Sequence, residues 1–222
     1  MHWTGIRSTR SDIERAGAVA VSYTMSARNM SICLGFAILA AALVLGAPQG
    51  SALAQVQTPD VLIIGDSLAI GTMPFLDEML TDRNLTWDTV NGRTTPQGMR
   101  ALRLALRESE PQAVVVSLGT NDGPDPRRFT SRLRRMLRDL APDTCVIWTA
   151  VVRPPRKGRY GALNRALRAE ARRDHRLIVI NWDRAVKRGT VVLRDGLHAD
   201  AAGYRYRSFK IAQAVLAGCP AL

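Results

Sequence analysis

The sequence predicts an α/β fold: a three-layer α/β/α sandwich around a five-stranded parallel sheet in flavodoxin-like order. Three observations carry this. Strand-like and helix-like segments alternate five times between residues 61 and 217. Three strand segments are strongly apolar, among them Val61–Ile64 and Ala113–Leu118, as parallel strands covered on both faces must be. Right-handed crossovers then distribute the helices over both faces.

The elements follow in order. Val61-Leu62-Ile63-Ile64 ends at Gly65 and reads as the first strand. Leu68–Leu80 places apolar residues at helical spacing. Leu85–Val90 is a weaker strand, and Asn91–Pro96 is a loop by its turn residues. Gln97–Arg107 carries Met99, Leu102 and Leu106 at i, i+3 and i+7, a helix. Ala113–Leu118 is a strand stopped by Gly119, and an Arg-rich helix spans Arg127–Leu140. Cys145–Val152 is a strand. Arg153–Arg159, with two Pro and four basic residues, is a loop. Tyr160–Arg173 is a helix, Leu177–Asn181 a strand, 182–198 mostly irregular, and Ala201–Ala217 the final helix.

The first 54 residues stand apart. Ile32–Ala47 is an apolar run without charge, preceded by Arg28 and followed by Pro48, Gly50 and a small-x-small site at Ala52-Leu53-Ala54. The run is shorter than the roughly 20 residues of a spanning helix. The expectation is a secretory signal peptide cleaved after Ala54 (1–54), then one domain over 55–222. An uncleaved membrane anchor is the alternative. Cys33 opens the apolar run rather than following it, which disfavours a lipoprotein. Residues 1–24 are a long leader or follow a misplaced start; Met25 and Met30 begin more compact versions.

Export implies an oxidising compartment. Cys145 opens a strand and Cys219 follows the last helix, so both fall on one rim of the sheet. A Cys145–Cys219 disulfide is expected, with two separate thiols as the alternative.

Composition narrows the function. The 222 residues are 46% hydrophobic and 23% charged, which excludes a disordered chain. Three Cys exclude a disulfide-dense miniprotein, and three His with no close Cys pair disfavour a metal centre. Lys and Arg number 31 against 19 Asp and Glu, a net charge of +12. Arg127, Arg128, Arg132, Arg134, Arg135 and Arg138 spread around one helix, so a solvated basic face competes with attraction to an anionic cell-envelope polymer. Nucleic acid is disfavoured: the chain is expected to be exported and has no recognised nucleic-acid module.

In open parallel sheets, ligands sit at the carboxyl ends of the strands. The residues there are Gly65-Asp66-Ser67-Leu68, Asn91-Gly92 and Gly119-Thr120-Asn121-Asp122, joined by Asp195-Gly196-Leu197-His198 before the last helix. A serine hydroxyl needs a base to become a nucleophile. His175 precedes a strand and belongs on the opposite rim, which leaves His198. Asp195, three residues earlier, can orient the imidazole. The N–H groups of Ser67 and Gly92 and the Asn121 amide could stabilise an oxyanion, and Gly92, without a Cβ, lets a substrate approach closely.

These four blocks, in this order, resemble the SGNH hydrolase family, also called GDSL esterases/lipases. The resemblance covers roughly 60–217 and implies the SGNH hydrolase fold. By resemblance Ser67 is nucleophile, His198 base and Asp195 its orienting acid, with Ser67, Gly92 and Asn121 as oxyanion hole. The second block, Asn91-Gly92-Arg93, is the shortest match. The implied activity is a secreted serine esterase that removes acyl or acetyl groups from a glycan or lipid, with no metal or organic cofactor. An O-acyltransferase on a cell-envelope sugar with the same triad is an alternative, as is a non-catalytic envelope-binding protein. An α/β-hydrolase is disfavoured, because Ser67 follows the first strand and Asp195 and His198 are only three apart.

Other readings of these residues remain open. Ser67 alone could be a helix N-cap. Asp66 is read as serving the turn or cap, Asp122 as a turn former, and Asp183 as a rival for the acid role. The loop holding Arg153, Arg156, Lys157 and Arg159 borders the rim and is expected to help select an anionic substrate.

Overall fold

The computed structural model describes residues 60–218 apart from 155, 156 and 159. The expected leader, its cleavage point and Cys219 lie outside the described residues. Five strands form one parallel sheet: β1 Asp60–Gly65, β2 Asn84–Thr89, β3 Ala113–Ser117, β4 Cys145–Thr149 and β5 Leu177–Ile180. Their order is β2-β1-β3-β4-β5, the expected flavodoxin-like arrangement. Cys145 is disulfide-bonded.

Strand alternation sorts the core into two layers. Leu62, Ile64, Val114, Val116, Val146 and Trp148 face one side, packed against α2 Thr95–Ala105, α3 Pro126–Asp139 and α4 Gly161–Ala171. Trp148 meets Phe129 edge-on, ring centroids 5.6 Å apart. Val61, Ile63, Val115 and Ile147 face the other side, against α1 Ser67–Met79 and α6 Ala201–Ala217. α1 and α6 approach closely where Gly71 meets the Tyr204 ring: a Cβ on Gly71 would lie 2.3 Å from a ring carbon. Ser208 Oγ seals the same seam by donating to the Thr72 carbonyl at 3.0 Å.

The structure departs from the sequence reading at three places, each with a local cause. α2 begins at Thr95 rather than Gln97. The Gln97 side chain reaches back to the Thr94 N–H at 2.8 Å, and Asp122 Oδ1 takes the Thr95 N–H at 2.9 Å. β4 ends at Thr149 rather than Val152, because Asn164 of α4 takes over the next backbone groups. Its Oδ1 accepts from Val151 N and its Nδ2 donates to Val151 O, each at 2.8 Å. The stretch 182–198, expected to be mostly irregular, opens with a short helix, α5 Trp182–Lys187. Only Trp182 and Ala185 are buried on it, too few apolar positions to register as a period.

Candidate active site

The carboxyl rim brings the expected residues together. β1 runs into α1 through Asp66, which caps the helix: its Oδ1 accepts from Leu68 N at 3.0 Å. Asp66 therefore holds the N-cap position and Ser67 is the first helical residue. That turn presents the Ser67 hydroxyl at the rim, half-buried.

Ser67 Oγ lies 3.0 Å from His198 Nε2. His198 Nδ1 lies 2.8 Å from Asp195 Oδ2. The other oxygen, Asp195 Oδ1, accepts from the backbone N–H groups of Leu197 at 2.9 Å and His198 at 2.7 Å. The three-residue spacing thus forms a self-contained turn: the carboxylate ties down the backbone with one oxygen and the ring with the other. Hydrogen bonds from the His198 ring, then from its backbone N–H, hold the Asp195 carboxyl well below the usual carboxylate range. An ionised Asp195 fixes the imidazole with its proton on Nδ1 and leaves Nε2 to accept from Ser67.

Asn121 stands beside this chain. Its Nδ2 donates to Asp66 Oδ2 at 3.1 Å and to the Arg93 carbonyl at 3.2 Å. The second bond ties the loop after β3 to the loop holding Gly92. Gly92 has φ 71°, and a Cβ there would meet no protein atom within 4 Å. Its glycine answers to the left-handed turn, and the space beside it is open on the protein side.

The competing residues separate cleanly. Asp183 is bound by Arg168 at 2.5 Å and by Asn164 at 3.0 Å, while His198 Nδ1 faces Asp195. His175 is exposed just before β5, on the opposite rim. Asp122 caps α2 through Thr95 and pairs with Arg132 at 3.2 Å, a supporting role. Of the α3 arginines, Arg128 and Arg134 are likewise paired, with Asp125 and Glu170. Among the described residues no cluster of three or more His, Cys, Asp or Glu is placed to hold a metal ion.

Two arginines near the site make contacts that the sequence reading did not give. Arg153, in the loop expected to help select an anionic substrate, donates to Thr120 O at 2.7 Å and to Asn121 Oδ1 at 3.2 Å. Arg207, on α6, is buried and donates to Ser117 Oγ at 2.9 Å. A signal for Arg207 was present: it precedes Ile211 and Ala214 by four and seven residues, which puts it on the inward face.

The family model for the GDSL-like lipase/acylhydrolase family matches residues 63–206. The chain is 32% identical over 92 residues to the thioesterase 1/protease 1/lysophospholipase L1 of Escherichia coli K12, a match covering 36% of this chain. It spans 44% of that relative's length. Among solved structures, a lipase/acylhydrolase from Enterococcus faecalis superposes with TM-score 0.62 at 20% identity, over 70% of this chain and 94% of that one. The catalytic domain of Streptococcus pneumoniae peptidoglycan O-acetyltransferase A superposes with TM-score 0.60 at 19% identity, over 72% and 93%.

Proposed function

The chain belongs to the GDSL-like lipase/acylhydrolase family, and from that premise we propose that it is an exported serine esterase acting through an acyl-Ser67 intermediate. The observation that carries this is the unbroken Ser67–His198–Asp195 hydrogen-bond chain. His198 Nε2 takes the hydroxyl proton as Ser67 Oγ attacks the ester carbonyl carbon. The oxyanion is met by the N–H groups of Ser67 and Gly92 and by the Asn121 amide. The Ser67 N–H is available because the first turn of a helix has no intrahelical acceptors. As the tetrahedral centre collapses, the C–O bond to the alcohol breaks and His198 returns the proton to the leaving oxygen. Water then attacks the acyl-serine by the same route in reverse.

Hydrolysis is favoured over O-acyl transfer by the openness of the site. The side chains of His198 and Asp195 are 38% and 56% exposed, so water reaches the acyl-enzyme without a displaced lid. For the ester carrier we propose an anionic cell-envelope glycan. A groove between α2 and α3 begins at Pro96, beside the rim, and is lined by Arg100 and Arg135 and by Arg103, Arg128 and Arg132, which are paired with Asp139, Asp125 and Asp122. Export is supported by the 32–47 apolar run and by the disulfide at Cys145. The expected pairing of Cys145 with Cys219 is part of the same proposal.

The test is hydrolysis of a short-chain p-nitrophenyl ester by residues 55–222 beside Ser67→Ala, with and without a sugar acceptor. Loss of activity in the variant supports the esterase. Acceptor-dependent acyl-sugar shifts the assignment to the transferase. Inactivity together with no labelling of Ser67 by a serine-directed phosphonate overturns both. For export, N-terminal sequencing of the full chain recovered from a bacterial envelope fraction is expected to begin at Gln55.

A further inference from the structure

Among the described residues Arg207 is the largest charged side chain sealed from solvent, 2% exposed. Hydrolysis as described gives it no task. Its guanidinium makes one side-chain hydrogen bond, to Ser117 Oγ at 2.9 Å, while its Nε and Nη1 have no hydrogen-bond partner among the described residues. It lies over the Trp182 ring at 5.0 Å. A cation so poorly compensated is expensive to bury. An apolar residue at this inward position of α6 would serve packing better, so the charge itself calls for a reason.

The reason lies along the hydrogen bonds. Ser117 Oγ, which accepts from Arg207, in turn donates to Asp66 Oδ1 at 3.4 Å. Asp66 is fully buried, and its other oxygen accepts from Asn121 Nδ2 at 3.1 Å. A continuous polar path therefore runs from α6, across the end of β3, to the amide beside the nucleophile. We propose that Arg207 is a positioning residue for the oxyanion amide, acting through Ser117 and the Asp66 carboxylate on Asn121.

The physical argument is as follows. Burial pushes the Asp66 carboxyl above its usual range, and the Arg207 charge opposes that. Burial also lowers Arg207, to about 10, which leaves it charged at neutral pH. The groups facing Asp66 are Leu68 N from α1, Ser117 from β3, Asn121 from the following loop, and Arg207 and Tyr204 from α6. Arg207 is the cation among them. Asp195 stands across the site and also acts on Tyr204. An ionised Asp66 accepts one Asn121 N–H firmly. The second N–H, on the Arg93 carbonyl at 3.2 Å, is then the one an oxyanion can share or take over with the amide held in place. A protonated Asp66 accepts more weakly and presents a donor of its own, so the amide loses its anchor.

This inference rests on the acyl-transfer reading, and the experiment separates the two. Arg207→Met keeps the length and removes the charge. At pH 7 it is expected to lower kcat on a p-nitrophenyl ester by about 10–100-fold with KM little changed, up to the value of a lost oxyanion donor. The loss shrinks as pH rises and Asp66 ionises without help. Arg207→Lys, which retains a buried cation, recovers most of the rate. Ser117→Ala interrupts the path with Arg207 in place, and moves kcat in the same direction should Arg207→Met not fold. A kcat loss equal at pH 6 and pH 9, or an effect confined to KM, overturns the proposal.

A second readout does not need activity. The side-chain amide ¹⁵N–¹H resonances of Asn121 should shift in Arg207→Met and in Ser117→Ala, and return toward wild type in Arg207→Lys. Unmoved resonances in folded variants overturn the positioning role. If the wild-type chain neither hydrolyses esters nor takes the phosphonate on Ser67, the esterase reading fails by itself. The Asn121 resonances then still decide the role of Arg207.

Discussion

The Arg153 guanidinium donates to Asn121 Oδ1 at 3.2 Å and to the neighbouring Thr120 carbonyl at 2.7 Å. A side chain that the sequence assigns to substrate selection is thereby bound to the loop that holds Asn121. Arg153→Met should lower turnover of a neutral p-nitrophenyl ester and of an anionic one by the same factor, about 10-fold. Lys157, exposed on the same loop, remains a candidate for selection, so Lys157→Met should weaken the anionic ester alone. Parallel kinetics on the two esters check both. An Arg153→Met defect confined to the anionic ester restores the original assignment.

The acid side of the pH profile should report one proton. Hydrogen bonds from His198 hold Asp195 well below the usual carboxylate range, so it stays ionised wherever the enzyme is folded and active. On its acid limb kcat/KM should therefore fall with unit slope, one proton taken up by the base. A slope of two, or a rate unchanged down to pH 4, contradicts His198 as base. Asp195→Asn removes the acceptor at Nδ1, and its rate should drop by about 10³–10⁴ with the substrate affinity kept.

Asn164 replaces a strand partner with a side chain, and its removal should be felt at a distance. Asn164→Ala leaves the buried Val151 N–H and C=O without partners, a loss of about 2–3 kcal/mol. Urea unfolding should show the lower midpoint with an unchanged slope. Limited proteolysis should quicken between 153 and 159, where the strand hands over to the loop. A midpoint equal to wild type sets the interpretation aside.

Glu170 gives the fold a pH-dependent contribution. Arg134 pairs with it at 2.7 Å and Arg173 at 2.6 Å, and Arg134 in particular lowers its carboxyl below the ordinary glutamate value. The folded pKa is depressed. The stabilisation is therefore fully present above the unfolded pKa of about 4.3 and disappears as pH falls through the folded value. Both arginines face solvent, which screens the pairs and keeps the contribution small. Glu170→Gln should lower Tm by about 2–4 °C at pH 7 and leave it nearly unchanged at pH 3. Equal shifts at both values would point to packing rather than charge.

The fold was legible because its strands other than β2 are apolar runs and its motifs fall where strands end. Ser67 after Gly65 and Asn121 after Gly119 mark strand exits directly, and Asp195 with His198 forms a turn that local spacing alone can close. Long-range substitutions for local rules were not legible. Nothing near Val151 announces that Asn164 will take its backbone groups. Nothing near Arg153 says that its fork will close on Thr120 and Asn121. The six-residue α5 has too few buried positions to show a period. Arg207 was readable in principle from its spacing to Ile211, but a charge on an inward face is the pattern that hydrophobic reading discards.

Ser67 and His198 are separated by 131 residues, and the helices that follow each of them meet along the Gly71–Tyr204 seam. Closing a loop of that length carries a large entropic penalty, which favours local contacts forming first. Ser67 and His198 therefore meet only where α1 and α6 have docked. On the proposed acyl-transfer reading, a chain whose seam is open holds the serine without its base and should not cleave esters. Regain of hydrolysis after denaturant dilution should accordingly report the docking of α6 on α1, read beside the return of far-UV circular dichroism.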